Sequence, residues 1–287
     1  MLGYVSGSYD ILRAKDLQQL DKVIQQNKEK GNKYFAVAIY GDELCEALGL
    51  GTPLKNVEDR INIMKQISGV DFTFEISSLD EKIIKSKAQE ALELYKKDIE
   101  AKKKDQTKNY NIVYVPGTFD LFHAGHLENL LAASKLSHRI VAGVKSDELV
   151  KAHKGELPKI NAEERMEILR HFKFIDNVYQ YYTRDPHSAL DWIEARMGEK
   201  PDAIVLGSDL KKDFKNYEDL NIVYTHRDPA KMEERSTSGY KKKLKLRNIS
   251  IDEKYTGNIK NKNEKLDELN VDEKEIGIDW HNFAWVV

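Results

Sequence analysis

Hydrophobic and polar positions divide this chain into short apolar runs separated by longer stretches of helical spacing. Ile112-Val113-Tyr114-Val115, Ile140–Val144, Val178–Tyr182, Ala203–Leu206 and Ile222–Thr225 read as strands rich in β-branched and aromatic residues. Apolar positions recur at helical spacing near 126–136, 162–172 and 187–198, with Leu127, Leu130 and Leu131 on one face of the first segment. Apolar, β-branched strands that alternate with helices predict an α/β fold: a parallel sheet with helices on both faces.

The first hundred residues carry a shorter version of the same pattern. Gly3–Leu17 aligns with Val113–Leu127 at an offset of 110, so Gly7 matches Gly117 and Asp10 matches Asp120. Ala36–Leu44 resembles Val141–Leu149, each a strand followed by an Asp-Glu-Leu turn into a helix. Pro53, Asn56, Glu58, Arg60 and Ile63 match Pro158, Asn161, Glu163, Arg165 and Ile168 at an offset of 105, and Asp71 and Asp176 fall in the same register. A repeat of this length predicts two tandem related lobes. The first ends early. After the strand-like Phe72–Ile76 comes a charged helical stretch from Leu79 to about Lys104, with Ile83, Ile84, Ala88, Ala91, Leu92, Tyr95 and Ile99 on its apolar face. The expected division is a truncated lobe at 1–105, a linker at 106–109, an intact lobe at 108–247 and a tail at 248–287. The tail is charged until Ile278–Val287, where Trp280 and Trp285 predict docking on a lobe or on a partner subunit.

Candidate chemistry concentrates in Gly117-Thr118-Phe119-Asp120-Leu121-Phe122-His123-Ala124-Gly125-His126-Leu127. This segment joins the strand Ile112–Val115 to a helix, so it lies at a carboxyl strand end, where parallel sheets bind ligands. The helix N-terminus offers unpaired N–H groups and the positive end of a dipole to an anion. Gly117 and Gly125 lack Cβ and admit close approach of backbone and ligand. His123 and His126, three residues apart, share one helix face if the helix starts as early as His123. In the first lobe Arg13 and Asp16 stand at the two histidine positions. That lobe is therefore read as inactive. It serves either as a regulatory nucleotide site or as a packing surface that acts as a built-in dimer partner.

Charge and composition narrow the function classes. With 46 Lys+Arg against 48 Asp+Glu, the net charge of −2 gives no general pull toward nucleic acid or an anionic membrane. The single cysteine, Cys45, forms no internal disulfide and suits a reducing compartment. The N-terminus is not signal-like, and no apolar run approaches the roughly 18 residues of a bilayer span. A cytoplasmic protein, without membrane insertion, is expected.

In its full wording the 117–127 segment resembles the signature of the cytidylyltransferase-like family. The resemblance implies a Rossmann-like fold for 108–247. It also implies transfer of a nucleotidyl group from a nucleoside triphosphate to a small phosphorylated acceptor, with release of pyrophosphate. The wording and the tandem layout are most similar to glycerol-phosphate and ethanolamine-phosphate cytidylyltransferases, so CTP is the expected nucleotide and Mg2+ its expected companion. The resemblance makes His123 and His126 the groups that stabilise charge on the α-phosphate, and Lys154, in Ala152–Pro158, the loop cation on the triphosphate, with Lys151 as its competitor. Gly117, Thr118, Phe119, Asp120 and Gly125 line the nucleotide. Arg165 either bridges a phosphate or pairs with a carboxylate. Gly207 and Asp209 form a G-x-D turn against ribose or base, or a plain turn. Arg235, Ser236, Thr237 and Ser238 resemble the family's final hydroxyl motif, but the R-T-x-G-I that precedes it in cytidylyltransferases is missing here. An adenylyltransferase that uses ATP on a sugar phosphate is therefore the alternative enzyme, and a non-catalytic nucleotide-binding protein the alternative from another class. Either the first lobe satisfies a dimer surface within one chain, or two chains pair as a homodimer; the sequence leaves both open.

Overall fold

The structure is a computed structural model that describes residues 2–101, 108–211, 214–226 and 235–246. The C-terminal run that carries Trp280 and Trp285 lies outside them. Contacts divide the chain into two compact units: Met1–Lys104 with the segment from Tyr240, and Asp105–Gly239. No helix among the described residues is long and apolar enough to cross a membrane.

The first unit opens with β1 (Leu2–Gly7), α1 (Ala14–Glu29), β2 (Tyr34–Tyr40) and α2 (Asp42–Ala47). It continues with α3 (Val57–Met64), β3 (Phe72–Ile76) and α4 (Glu81–Ala101). Its strands form a parallel sheet in the order β1-β2-β3. Tyr4, Ala36, Ala38, Phe72 and Phe74 meet Ile84, Ala88 and Leu92 of α4 in a buried cluster.

The second unit holds β4 (Tyr110–Gly117), α5 (Ala124–Leu136), β5 (Ser137–Lys145), α6 (Asp147–Lys154) and α7 (Ala162–Arg170). After these come β6 (Asn177–Tyr181), α8 (Pro186–Met197), β7 (Ala203–Gly207) and β8 (Ile222–Thr225). The last described helix is α9 (Thr237–Leu246), and the boundary between units falls within it, after Gly239. All strand pairs are parallel, in the order β6-β5-β4-β7-β8.

Alternation along the central strand places helices on both faces. Ile112 and Tyr114 pack with Ala189, Leu190 and Ile193 of α8, while α5 lies on β4, β5 and β7. The strands thus form the covered parallel sheet that their apolar runs predict. The chain leaves β4 for β5 and β6 on one side and returns to β7 on the other, which makes the β4 carboxyl end a topological switch point. The β4–β7 ladder holds Val113↔Ala203 and Tyr114↔Ile204 only, so the last residues of β4 extend beyond it.

Both units use the same bonds to hold their loops. Asp10 accepts from the backbone N–H groups of Leu54 and Lys55, and Asp120 accepts from those of Lys159 and Ile160. Arg60 donates to the carbonyls of Lys55, Ser8 and Tyr40 and to Asp42. Arg165 donates to those of Ile160, Thr118 and Lys145 and to Asp147. Asp71 and Asp176 each take a backbone N–H at the base of their second strand, from Phe35 and Ile140.

Candidate functional site

The turn after β4 is held in an uncommon backbone conformation. Phe119 and Leu121 adopt φ values of +56° and +49°, the left-handed region that L side chains avoid. Each such residue costs about 1–3 kcal/mol and persists only where its surroundings hold it in place. Asp120 lies between them, buried, with both carboxylate oxygens on the amides of Lys159 and Ile160. The fold-back of Phe119 explains Gly117: a Cβ there would stand 2.8 Å from the Phe119 ring.

His123 is the N-cap of α5, with extended backbone at φ −141° and ψ 171°. Helix N-caps are usually Ser, Thr, Asp or Asn. Here the imidazole does the capping: Nδ1 accepts the His126 backbone N–H at 3.4 Å. His126 stands in the first turn, and its ring stacks on His123 with centroids 3.7 Å apart and planes 21° apart. Phe119 and Phe122 flank His126 at 5.2 and 5.6 Å. The helix starts at Ala124 rather than at His123, and the two rings meet all the same, because the cap residue turns its side chain back over the first turn.

The hydroxyl cluster joins this turn from the far end of the unit. Thr237 Oγ1 lies 3.3 Å from His123 Nε2 and donates to the Asp120 carbonyl at 3.0 Å. Ser236 accepts from the Gly239 N–H at 3.1 Å and so caps α9, while Ser238 is exposed. Arg235 pairs with Glu128 of α5 at 3.2 Å. The Arg235 carbonyl would lie 3.0 Å from a Cβ at position 125, so glycine is what lets this segment approach the helix start.

Four protein acceptors surround the fully buried Arg165 guanidinium: three carbonyls and Asp147. Of the two roles open for this residue, the geometry displays the carboxylate pair. Arg165 ties Thr118 of the turn to the end of β5, the start of α6 and the loop before α7. Burial raises the Tyr181 phenol pKa far above its ordinary value, against the lowering pull of Arg165.

Lys154 is the exposed last residue of α6, followed by Gly155 at φ +79°. The loop it opens is anchored at its far end, where Lys159 and Ile160 meet Asp120. Gly207 closes β7 in a buried position, and Asp209 is exposed in the single 3-10 turn Ser208–Leu210 that follows. The structure thus gathers Gly117, Thr118, Phe119, Asp120, His123, Gly125, His126, Arg165, Arg235 and Thr237 around one helix start. Lys154, Asp209 and Ser238 stand exposed on their own elements.

The sequence reading missed three partners: Asp147 for Arg165, Glu128 for Arg235, and the buried pair Thr225–Asn129, 2.6 Å apart. The first had a visible signal. An aspartate stands 18 residues before the arginine in both halves, at Asp42–Arg60 and Asp147–Arg165.

Among the described residues no cluster of His, Cys, Asp or Glu could hold a metal ion. Asp120, the nearest carboxylate of the turn, is committed to backbone amides. The donor set does not form a resident metal site.

A profile of the family described as cytidylyltransferase-like matches residues 114–263. Among curated proteins, the chain is 28% identical over 272 residues to the bifunctional protein HldE of Campylobacter concisus, a match that covers 82% of this chain and 56% of that protein. It is 39% identical over 108 residues to the FAD synthase of Pyrococcus horikoshii, covering 38% of this chain and 68% of that one. A third relative, the HldE of Campylobacter jejuni subsp. doylei, is 34% identical over 155 residues, 52% of this chain and 30% of that protein. The chain thus spans little more than half the length of the first of these relatives and less than a third of the last. The profile match holds the whole histidine turn, from Gly117 to Leu127, and the chain belongs to the cytidylyltransferase-like family.

Proposed function

We propose that this protein transfers a nucleotidyl group from a nucleoside triphosphate to a small phosphorylated acceptor and releases pyrophosphate. The observation that carries the reading is the stacked pair His123–His126 at the start of α5, on the carboxyl end of the central strand, with Thr237 bonded to its edge. A phosphate oxygen of the acceptor attacks the α-phosphorus in line. The new P–O bond forms as the bond to the β-phosphate oxygen breaks, and the electron pair leaves with pyrophosphate. No covalent enzyme intermediate is required, so catalysis consists of positioning and charge stabilisation. The imidazoles and the amides of the first turn of α5 face the charge that grows on the α-phosphate and the bridging oxygen. Lys154 brings a cation from its loop to the triphosphate. Mg2+ arrives as part of the nucleotide substrate.

ATP is the donor this reading favours. The relative that is 39% identical is named for a product, FAD, that contains an adenylyl group. The R-T-x-G-I segment that the resemblance associates with cytidine is absent before Arg235. CTP with a phosphoalcohol is the second reading, favoured by the wording of the 117–127 turn.

The first unit is read as a truncated and inactive copy. Among the described residues its sheet has three strands, with no counterparts of β7 and β8; Arg13 and Asp16 replace the histidines, and the Asp10 and Arg60 bonds match those of Asp120 and Arg165.

Pyrophosphate release tests the proposal, measured with ATP and with CTP against sugar phosphates, phosphoalcohols and flavin mononucleotide in the presence of Mg2+. Release with one nucleotide and one acceptor is expected. Nucleotide binding with no release across the panel would replace the enzyme by a binding protein.

A further inference from the structure

We propose that Thr237 is a positioning residue that holds the Nε2–H of His123 in a fixed direction. This rests on the transfer reading above for its purpose, though not for its geometry. Two backbone groups have roles that cannot change. The His126 N–H can only donate; it bonds the His123 carbonyl at 2.9 Å and shares its hydrogen with His123 Nδ1 at 3.4 Å. The Asp120 carbonyl can only accept, and it lies 3.0 Å from Thr237 Oγ1. A nitrogen that accepts carries no proton, so the neutral His123 ring bears its hydrogen on Nε2. The single hydrogen of the Thr237 hydroxyl is used on the Asp120 carbonyl, which leaves Oγ1 to accept the Nε2–H, 3.3 Å away. The chain of donors therefore runs one way: His126 N–H to His123 Nδ1, His123 Nε2–H to Thr237 Oγ1, and Thr237 O–H to Asp120 O.

His123 is only 3% exposed, so bulk water does not compete freely for that hydrogen. The first unit shows that the aspartate carbonyl can be satisfied in another way. There Lys55 Nζ donates to the Asp10 carbonyl, and Arg13 takes the N-cap position in place of an imidazole. A bond to this carbonyl does not in itself call for a threonine. Thr237 differs in engaging the carbonyl and the imidazole at once. In the transfer reaction a phosphate oxygen takes the place of Oγ1 as acceptor, so the donor is aimed before the nucleotide arrives.

The test is NMR on the full chain labelled with 15N-histidine, without nucleotide, with kinetics alongside. In the unsubstituted protein His123 is expected as the Nε2–H tautomer, with Nδ1 at the frequency of an acceptor and the Nε2–H protected from solvent exchange. Thr237→Val keeps the side-chain shape and removes the hydroxyl. It should speed that exchange and lower kcat, each about tenfold, the effect of one lost hydrogen bond. Thr237→Ser, which keeps the hydroxyl, should recover the protection. An Nδ1–H tautomer in the unsubstituted protein, or equal exchange in Thr237→Val, would overturn the proposal. Because the spectra need no substrate, they judge the hydrogen-bond chain even if the transfer reading fails.

Discussion

Arg165 and Asp147 are joined at 2.5 Å, the guanidinium wholly buried and the carboxylate about a quarter exposed. Asp147 also accepts the Ala162 N–H, so one carboxylate secures both the arginine and the start of the next helix. The same guanidinium holds the Thr118 carbonyl, one residue before the left-handed Phe119. This arrangement makes Arg165 a support of the histidine turn. Its removal leaves Asp147 and three carbonyls without their donor, while Asp147 can still turn to water.

Arg165→Met should therefore cost about 3–5 kcal/mol of stability, the usual effect of breaking a buried pair from one side. Asp147→Asn should cost less, because its oxygen still accepts. Urea unfolding of the second unit measures both. Equal and small losses would place Arg165 outside the support of the turn.

Gly117→Ala tests the fold-back of Phe119. The added methyl would stand 2.8 Å from the ring, and the ring is held by the positive φ of its own backbone. A loss of about 1–3 kcal/mol is expected, as for other overpacked sites. In the double variant with Phe119→Leu the two effects should couple rather than add, since the residues touch. Thermal unfolding of the two single variants and the double variant reads this coupling; simple additivity would show that the clash is relieved elsewhere.

How much of this was legible in the sequence depends on what each feature rests on. The central strands of the second unit stood out because both faces of a parallel sheet are buried there, whereas the half-buried edge strand Asn177–Tyr181 carries Gln180 among its apolar residues. Ile222–Thr225 and Phe72–Ile76 agree with the observed strands to the residue, while β5 runs from Ser137, three residues before its apolar core begins. The histidine turn was legible because its residues form one continuous signature; Gly117 answers to the nearby Phe119 ring, whereas Gly125 answers to the Arg235 carbonyl, which only the fold brings there. The Asp147–Arg165 pair was marked only by the spacing it shares with Asp42–Arg60. It depends on two helices that meet at the end of β5, and nothing local ties a carboxylate to a guanidinium 18 residues away. The role of Asp120 was hidden for a similar reason. Its carboxylate holds amides 39 and 40 residues on, a contact set by the sheet and not by the motif.

His126→Ala should lower kcat by about 10²–10³-fold, the range for removing one preorganised group that stabilises a transition state. The ring lies on His123 and between two phenylalanines, so the variant also opens a small space. Circular dichroism and the melting temperature should show a folded protein, which separates lost chemistry from lost structure. Turnover near the normal rate in that variant would remove the histidine pair from the mechanism.

The fold's stability should also depend on pH through His187. His187, at the start of α8, meets Asp219 at 2.6 Å and Asp185 at 3.3 Å, with the Tyr217 ring beside it. Its hydrogen bond to Asp219, and then that to Asp185, raise its pKa above the ordinary value of 6.5. A raised folded-state pKa means that the charged imidazole stabilises the fold at low pH. The contribution is full below 6.5 and fades as pH rises through the higher folded value. Asp185 behaves in the opposite sense. The Ser188 hydroxyl and N–H lower its pKa from 3.8 to about 2, so its contribution is present above 3.8 and is lost as pH falls toward 2. All three side chains are largely exposed, which keeps both effects small and sensitive to salt. Melting temperatures of the protein and of His187→Gln should differ most at pH 5 to 6, converge above the raised pKa, and draw together at high ionic strength. A gap that widened with rising pH would mean that the imidazole is held neutral, and the bond to Asp219 would then have to be one that His187 donates without its charge.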